Sequence, residues 1–368
     1  MIDRRLLQNF DWPLLALILL IAGIGIVNLY SAGYNHTPEG VTPVYVRQSY
    51  WLLVGLAVMF ITLTIDYRYL ERLAYPLYIL SIILLIAVIV GGKTVSGSKR
   101  WLGLGPIAFQ PSELVKIALI LVLARYFHRL SPQGPLPFKD ILPPLALILI
   151  PAAIIAKQPD LGSAILVTLV GGSMILLVGV NWRTLLIGGI ALVTAIPAAW
   201  PFLKEYQRQR VRTFLNPEQD PLGAGYHIIQ SKIAVGSGQF WGKGFLLGTQ
   251  SQLHFLPEQH TDFVFSVFAE EWGFVGSAAV VLLYLGLCLW GVLIARNCKE
   301  RFGQLLALGV TALLFWQVFV NLCMVTGLLP VVGIPLPLFS YGGSSLITTM
   351  LALGLLLNLR MRRFLLGG

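Results

Sequence analysis

Apolar residues along this chain fall into blocks of about 16–24 residues, with no alternation of period two, separated mostly by short polar connections. As helices, such blocks cover a hydrocarbon core of about 30 Å. Backbone facing lipid has no water to bond, so the blocks must close their own hydrogen bonds as helices. The pattern predicts spans near 12–31, 50–65, 74–90, 112–127, 141–156, 161–180, 184–200, 274–295, 302–325 and 344–359. The expected fold is an all-α polytopic integral membrane protein of about ten transmembrane helices. The first block follows Arg4 and Arg5 but ends in no small-x-small cleavage site and precedes further spans, so it reads as an uncleaved helix.

One connection breaks this rhythm. Pro201 to Asp262, 62 residues, joins the seventh and eighth spans without strong secondary-structure signals. A loop that long is usually functional or disordered, and its Tyr206, Phe214, Trp241 and Phe245 argue against disorder. The chain therefore reads as a single membrane domain, 1–368, containing a long loop at 201–262.

Basic residues orient it. With the N-terminus inside, fourteen fall in cytoplasmic segments (Arg4, Arg5, Arg68, Arg72, Arg125, Arg129, Lys139, Arg183, Arg296, Lys299, Arg301, Arg360, Arg362, Arg363), against five in short outer loops (Arg47, Lys93, Lys99, Arg100, Lys157). Both termini are expected in the cytoplasm and the long loop outside.

Composition agrees: 57% hydrophobic, 11% charged, mean hydropathy +0.79. The net charge of +10 needs no nucleic acid, because cytoplasmic arginines beside helix ends meet an anionic leaflet. Cys288, Cys298 and Cys323 follow no disulfide or zinc spacing.

Against that background, polar residues collect on the outer side. FLPEQHTDFVF carries Glu258, His260, Thr261 and Asp262 just before an apolar run. In QPSELVKIALI, Glu113 and Lys116 lie three residues apart on one helical face near the outer end of the fourth span. Intramembrane charges are costly and normally face a cavity or pair, so either role fits them. Asp160 in KQPDLGS and Arg100 in SGSKRWL lie on the same side. YQRQRVRTFL sets Arg208, Arg210 and Arg212 on alternate residues, as an interfacial segment or as forks for a pyrophosphate. The glycine-rich stretch after it fails the P-loop pattern at Ser237 and Gly244, leaving Gln230, Ser231 and Lys232 as sugar or phosphate donors or as helix caps. Ser344 or Ser345 suits the start of the last helix. His227, His254 and His260 follow no zinc spacing. The joint reading is an outward-facing polar cavity for a substrate whose tail stays in lipid.

GIPLPLFSYGGSS, LPEQHTDFVFSVFAEEWGFVG, FQPSELVK, QPDLGS and GAGYHIIQSKIAVGSGQFWGKG, spread in order over both halves of the chain, closely resemble the SEDS family (shape, elongation, division and sporulation). GTQSQLHFLPEQHTDF and VVGIPLPLFSYGGSS are similar to its elongation branch more than to its division branch. Tyr226-His227 departs from the Tyr-Gln expected there. The resemblance implies a multi-pass glycosyltransferase of the bacterial cytoplasmic membrane that polymerises lipid II into glycan strands on the outer face. It also implies a class B penicillin-binding transpeptidase and other elongation-complex membrane proteins as partners, the growing lipid-linked strand as second substrate, and Asp262 as the catalytic residue.

The chemistry asks for similar groups. An acceptor 4-hydroxyl attacking C1 of an α-linked donor with inversion needs one base and no covalent intermediate. The departing pyrophosphate needs cations, for which Lys116 and Arg210 lead, with Arg212, Lys232 or a divalent ion (Mg2+ or Mn2+ on Asp262 and Glu258) as alternatives. Glu113, Asp160, Arg100 and Ser344 complete the expected substrate-binding set, and no organic cofactor is implied. Two rival functions remain open on sequence: a lipid II flippase and a non-catalytic scaffold.

Overall fold

Every expected span folds as a helix. The computed structural model describes residues 10–34, 41–95, 98–104, 107–130, 134–202, 204–219, 223–252, 255 and 258–362. Arg4, Arg5, His254 and Arg363, named above, lie outside the described residues. The spans are α1 (Trp12–Gly33), α2 (Val44–Thr64), α3 (Tyr67–Gly91), α4 (Pro111–Leu130), α5 (Phe138–Lys157), α6 (Leu161–Val178) and α7 (Trp182–Ala199). After α8 (Glu205–Leu215) and α9 (Ala224–Ser237) come α10 (Val264–Asn297), α11 (Arg301–Val325) and α12 (Gly343–Arg362). Among the described residues eight helices are long and apolar enough to cross a membrane: α1, α2, α3, α5, α6, α10, α11 and α12. The other two expected spans are helices α4, which carries Glu113, Lys116, Arg125 and Arg129, and α7.

Helices α4, α11 and α12 form the interior, buried over most of their length. Around them α2 packs on α12, α3 on α4, α6 on α5 and α10 on α11, whereas α7 is exposed along nearly all its described length. Lipid supplies no hydrophobic drive between helices, so packing and polar contacts hold them. Gln158 Nε2 donates to the Leu85 carbonyl at 2.7 Å, Tyr78 Oη to Leu147 at 2.9 Å, and Asn358 Nδ2 to Thr62 at 2.8 Å. Such bonds contribute on average about 0.6 kcal/mol each in membranes.

Two segments depart from the sequence expectation. Between α3 and α4 the chain forms a three-stranded antiparallel sheet, β1 (Lys93–Val95), β2 (Ser98–Leu104) and β3 (Ile107–Phe109), pairing Val95 with Ser98 and Leu102 with Phe109. The long connection is also structured, with α8 and α9 inside it. Its glycine-rich part is folded onto α10: Lys243 N donates to Glu270 O and Gly244 N to Glu271 O, both at 3.0 Å, and Phe274 N donates back to Gln239 O at 2.9 Å.

Backbone meeting backbone at that distance explains the glycines. Gly242 (φ +81°) would place a Cβ 2.1 Å from Glu271 O, and Gly273 (φ +63°), where α10 kinks, would place one 2.3 Å from Gly242 N. Gly242→Ala is therefore expected to lower stability by about 1–3 kcal/mol. Gly236, on α9 with nothing within 4 Å of its added Cβ, should tolerate alanine. Melting temperatures of the two variants check the contrast.

Candidate functional site

The site is assembled from four segments that end at one level of the bundle. The first is the start of α4. Pro111 occupies the first helical turn, and Glu113 follows at the positive end of the helix dipole. One turn on, Lys116 Nζ donates to Glu113 Oε1 at 2.7 Å, with both side chains at 5% exposure or less. At that burial the two charges stabilise each other, yet Glu113 Oε2 makes no hydrogen bond, so the pair is not saturated.

The second segment is the start of α6. Asp160 caps it, Oδ1 accepting from Ser163 N at 3.2 Å, while Oδ2 accepts from Gln110 Nε2 at 3.2 Å. The third is β2, which brings Arg100 to the same place. Its Nη2 donates to the Pro159 carbonyl, and Nη1 lies 3.9 Å from Asp160 Oδ1.

The fourth is the turn before α10, carrying Asp262. Asn321 Nδ2, from the apolar interior of α11, donates to the Asp262 carbonyl at 3.0 Å and to the Ile334 carbonyl at 2.8 Å. Tyr341 N donates to His260 O at 2.9 Å. The Asp262 turn is thus fixed to the proline-rich connection between α11 and α12. In that connection Gly333 (φ +74°) leaves the carboxylate room, since an added Cβ would stand 3.4 Å from Oδ2.

Between these segments lies a cavity of about 180 Å³. Asp262, Glu113, Lys116, Asp160, Arg100 and Ser344 all line it, together with Trp101, Gln110, Thr261, Tyr341 and Ser345. Asp262 is enclosed by its neighbours and keeps partial exposure through the cavity. Burial, reinforced by the Glu258 carboxylate, pushes its pKa up to about 6, against the pull of Arg100 and Arg210. Burial also lowers His260, with Glu258 opposing, which favours the neutral imidazole beside Asp262.

The arginine run divides because it is helical. In α8, residues two apart point to opposite sides. Arg208 and Arg212 share a face and hold Glu205, at 3.8 and 3.0 Å, on the exposed side. Arg210 points the other way and supplies positive potential to Asp262. Arg210, expected with Lys116 to hold the pyrophosphate, does not line the cavity, nor do Arg212 and Lys232; the Lys232 side chain lies against Gly327. Ser231 is fully buried, its hydroxyl bonded to Val325 O at 2.6 Å and Ser266 Oγ at 2.8 Å, which makes it a packing residue. Glu258 is exposed and accepts from Thr261 Oγ1 at 3.0 Å. Among the described residues no three His, Cys, Asp or Glu side chains group closely enough to hold a metal ion.

Sequence reasoning missed three supports. Asn321 is a polar residue inside an apolar helix, a signal in itself. Glu270 and Glu271 gave the same signal in α10. Glu270, fully buried, accepts from Lys243 Nζ at 2.6 Å, Thr249 Oγ1 at 3.0 Å and Gln250 N at 3.1 Å, and Glu271 accepts from Ser31 Oγ. Glu270 anchors the glycine-rich part of the long connection and Glu271 ties α10 to α1; neither lines the cavity.

The chain matches, over residues 11–364, the family model for cell cycle proteins of the FtsW, RodA and SpoVE type. It is 48% identical over 325 residues, 86% of this chain and 85% of the relative, to peptidoglycan glycosyltransferase MrdB of Escherichia coli K12. It is 38% identical over 365 residues, 96% and 93% of the two chains, to a probable peptidoglycan glycosyltransferase FtsW of Trichlorobacter lovleyi. A chain in a solved peptidoglycan synthase complex that coordinates polymerisation and crosslinking superposes with a TM-score of 0.83 at 38% identity, covering 96% of this chain and 98% of that one. The site described above therefore sits in a member of the FtsW/RodA/SpoVE family, the SEDS proteins.

Proposed function

We propose that this protein is a peptidoglycan glycosyltransferase of the elongation type, joining lipid II units into glycan strands at the Asp262 cavity. The observation that carries the reading is the meeting of one raised-pKa carboxylate with two cations, Lys116 and Arg100, in a single cavity at one end of a membrane bundle. The higher identity to the MrdB relative than to the FtsW relative favours the elongation branch.

In this mechanism Asp262 takes the proton from the acceptor 4-hydroxyl as that oxygen attacks the donor C1 from the face opposite the pyrophosphate. The C1–O bond to the lipid pyrophosphate breaks in the same step, and the configuration inverts. Lys116 and Arg100 receive the charge that develops on the leaving oxygens, with Arg210 adding positive potential. The Pro159 carbonyl and Asp160 hold Arg100 in place, and the hydroxyls of Thr261, Ser344 and Ser345 offer bonds to sugar. The cavity faces the outside of the cytoplasmic membrane, where a class B penicillin-binding protein crosslinks the product. Resemblance to the chain from a synthase complex supports that partnership.

A base must be ionised to work, so the rate is expected to fall as pH drops through about 6. Glu258→Gln removes a like charge and should shift this acid limb to lower pH, which a pH–rate profile measures. The sign reverses for stability. An acid whose folded pKa lies above its unfolded value makes the protein less stable as pH rises from about 4 through 6.

The experiment that tests the function reconstitutes the purified chain in vesicles with labelled lipid II on both leaflets. Glycan polymer is the expected product. Movement of lipid II between leaflets without polymer would assign a flippase instead.

A further inference from the structure

We propose that a second, polar cavity at the opposite end of the bundle binds the phosphate group of an anionic glycerophospholipid. Helix α4 carries both sites. Glu113 in its first turn lines the Asp262 cavity and Arg129 in its last turn lines this one, 16 residues and so about 24 Å away, on the other side of the membrane. The basic-residue count assigns that side to the cytoplasm.

The second cavity, of about 340 Å³, is formed where α3 and α11 begin and α4 ends. Arg68 and Arg72 come from the first turns of α3, Arg129 from α4, and Glu71 and Glu300 oppose them, leaving a net charge of +1 before His128 is counted. The internal pairing is uneven. Arg68 is bonded to Glu300 at 2.9 Å, which Tyr67 also contacts at 2.7 Å. Glu71 instead shares one oxygen between Arg129 at 3.5 Å and His128 at 3.9 Å, outside good hydrogen-bond range. Arg72 lies with its guanidinium 5.9 Å from the Tyr69 ring.

An incoming phosphodiester would meet Arg72 and Arg129, both exposed, with the planar fork that suits its oxygens. The surroundings specify a lipid. Tyr69, 59% exposed, and Leu73, 48% exposed, sit on the same two turns of a membrane-spanning helix, and Phe302 gives the cavity an apolar wall. A headgroup there keeps its acyl chains along α3, and basic pockets between helix ends at the cytoplasmic surface suit anionic lipids on electrostatic grounds.

The test titrates detergent-solubilised full-length protein with phosphatidylglycerol and counts bound lipid by native mass spectrometry. Arg72→Gln with Arg129→Gln is expected to weaken binding by about fivefold for each arginine removed. Glu71→Gln, which removes an opposing anion, is expected to strengthen it, a change of sign that misfolding does not imitate. Arg183→Gln, on the same side but outside the cavity, should leave binding unchanged. Equal binding by parent and double variant, weaker binding by Glu71→Gln, or a loss in Arg183→Gln as large as in the double variant would overturn the site. Displacement by inorganic phosphate at the lipid's own concentration would overturn the lipid as its source.

Discussion

Asp262→Asn is expected to lower the initial rate of glycan polymerisation by about 10²–10⁴-fold, the usual contribution of a positioned general base. The substitution is nearly isosteric and keeps the neighbours of Asp262 in place. Asn321 bonds the main-chain carbonyl rather than the carboxylate, and the space beside Gly333 admits an amide as it admits a carboxylate. What changes is the group that accepts the proton. Melting temperature should hold or rise slightly, because a partly enclosed carboxylate with an unfavourably raised pKa is replaced by a neutral group. A variant with parental stability and parental rate would remove the base from the mechanism.

Lys116→Met carries the second large effect, and here stability and activity separate. The single variant withdraws the ammonium 2.7 Å from Glu113, leaving a carboxylate that is 4% exposed without its counter-charge. Breaking a buried pair from one side costs about 3–5 kcal/mol, so a clear fall in melting temperature is expected. Glu113→Gln combined with Lys116→Met removes both charges and should recover most of that loss. Polymerisation should stay low in the double variant, because the cavity still lacks the cation for the departing pyrophosphate. Rate recovered along with stability would make the pair purely structural.

Much of this was legible in the sequence, for identifiable reasons. Eight of the expected spans follow from apolar length, since a span must satisfy its own backbone, whereas α4 carries four charged residues and α7 falls outside that set. Glu113, Lys116, Asp160, Arg100, Asp262 and Ser344 meet in one cavity because charge inside an apolar protein is tolerated where it lines polar space or pairs. Other features were hidden. The sheet at 93–109 uses two strands of only three residues, too short for a periodic signal. The span expected from 274 begins at Val264, because Glu270 and Glu271 interrupt the hydropathy although both are buried and bonded. Their partners are distant in sequence: the folded connection brings Lys243, Thr249 and Gln250 to Glu270, and the packing of α1 on α10 brings Ser31 to Glu271. Arg208, Arg210 and Arg212 looked equivalent in the sequence. The helical turn of α8 then separated them, placing one toward Asp262 and two on Glu205.

That Asp262 acts on lipid II without help from a second enzyme is the central expectation. Its most direct test measures lipid II binding and polymer formation on the same purified samples of parent and Asp262→Asn, with no other protein present. Equal binding by both is expected, with polymer from the parent and polymer at the detection limit from the variant. Equal polymer from the two at equal occupancy would contradict it.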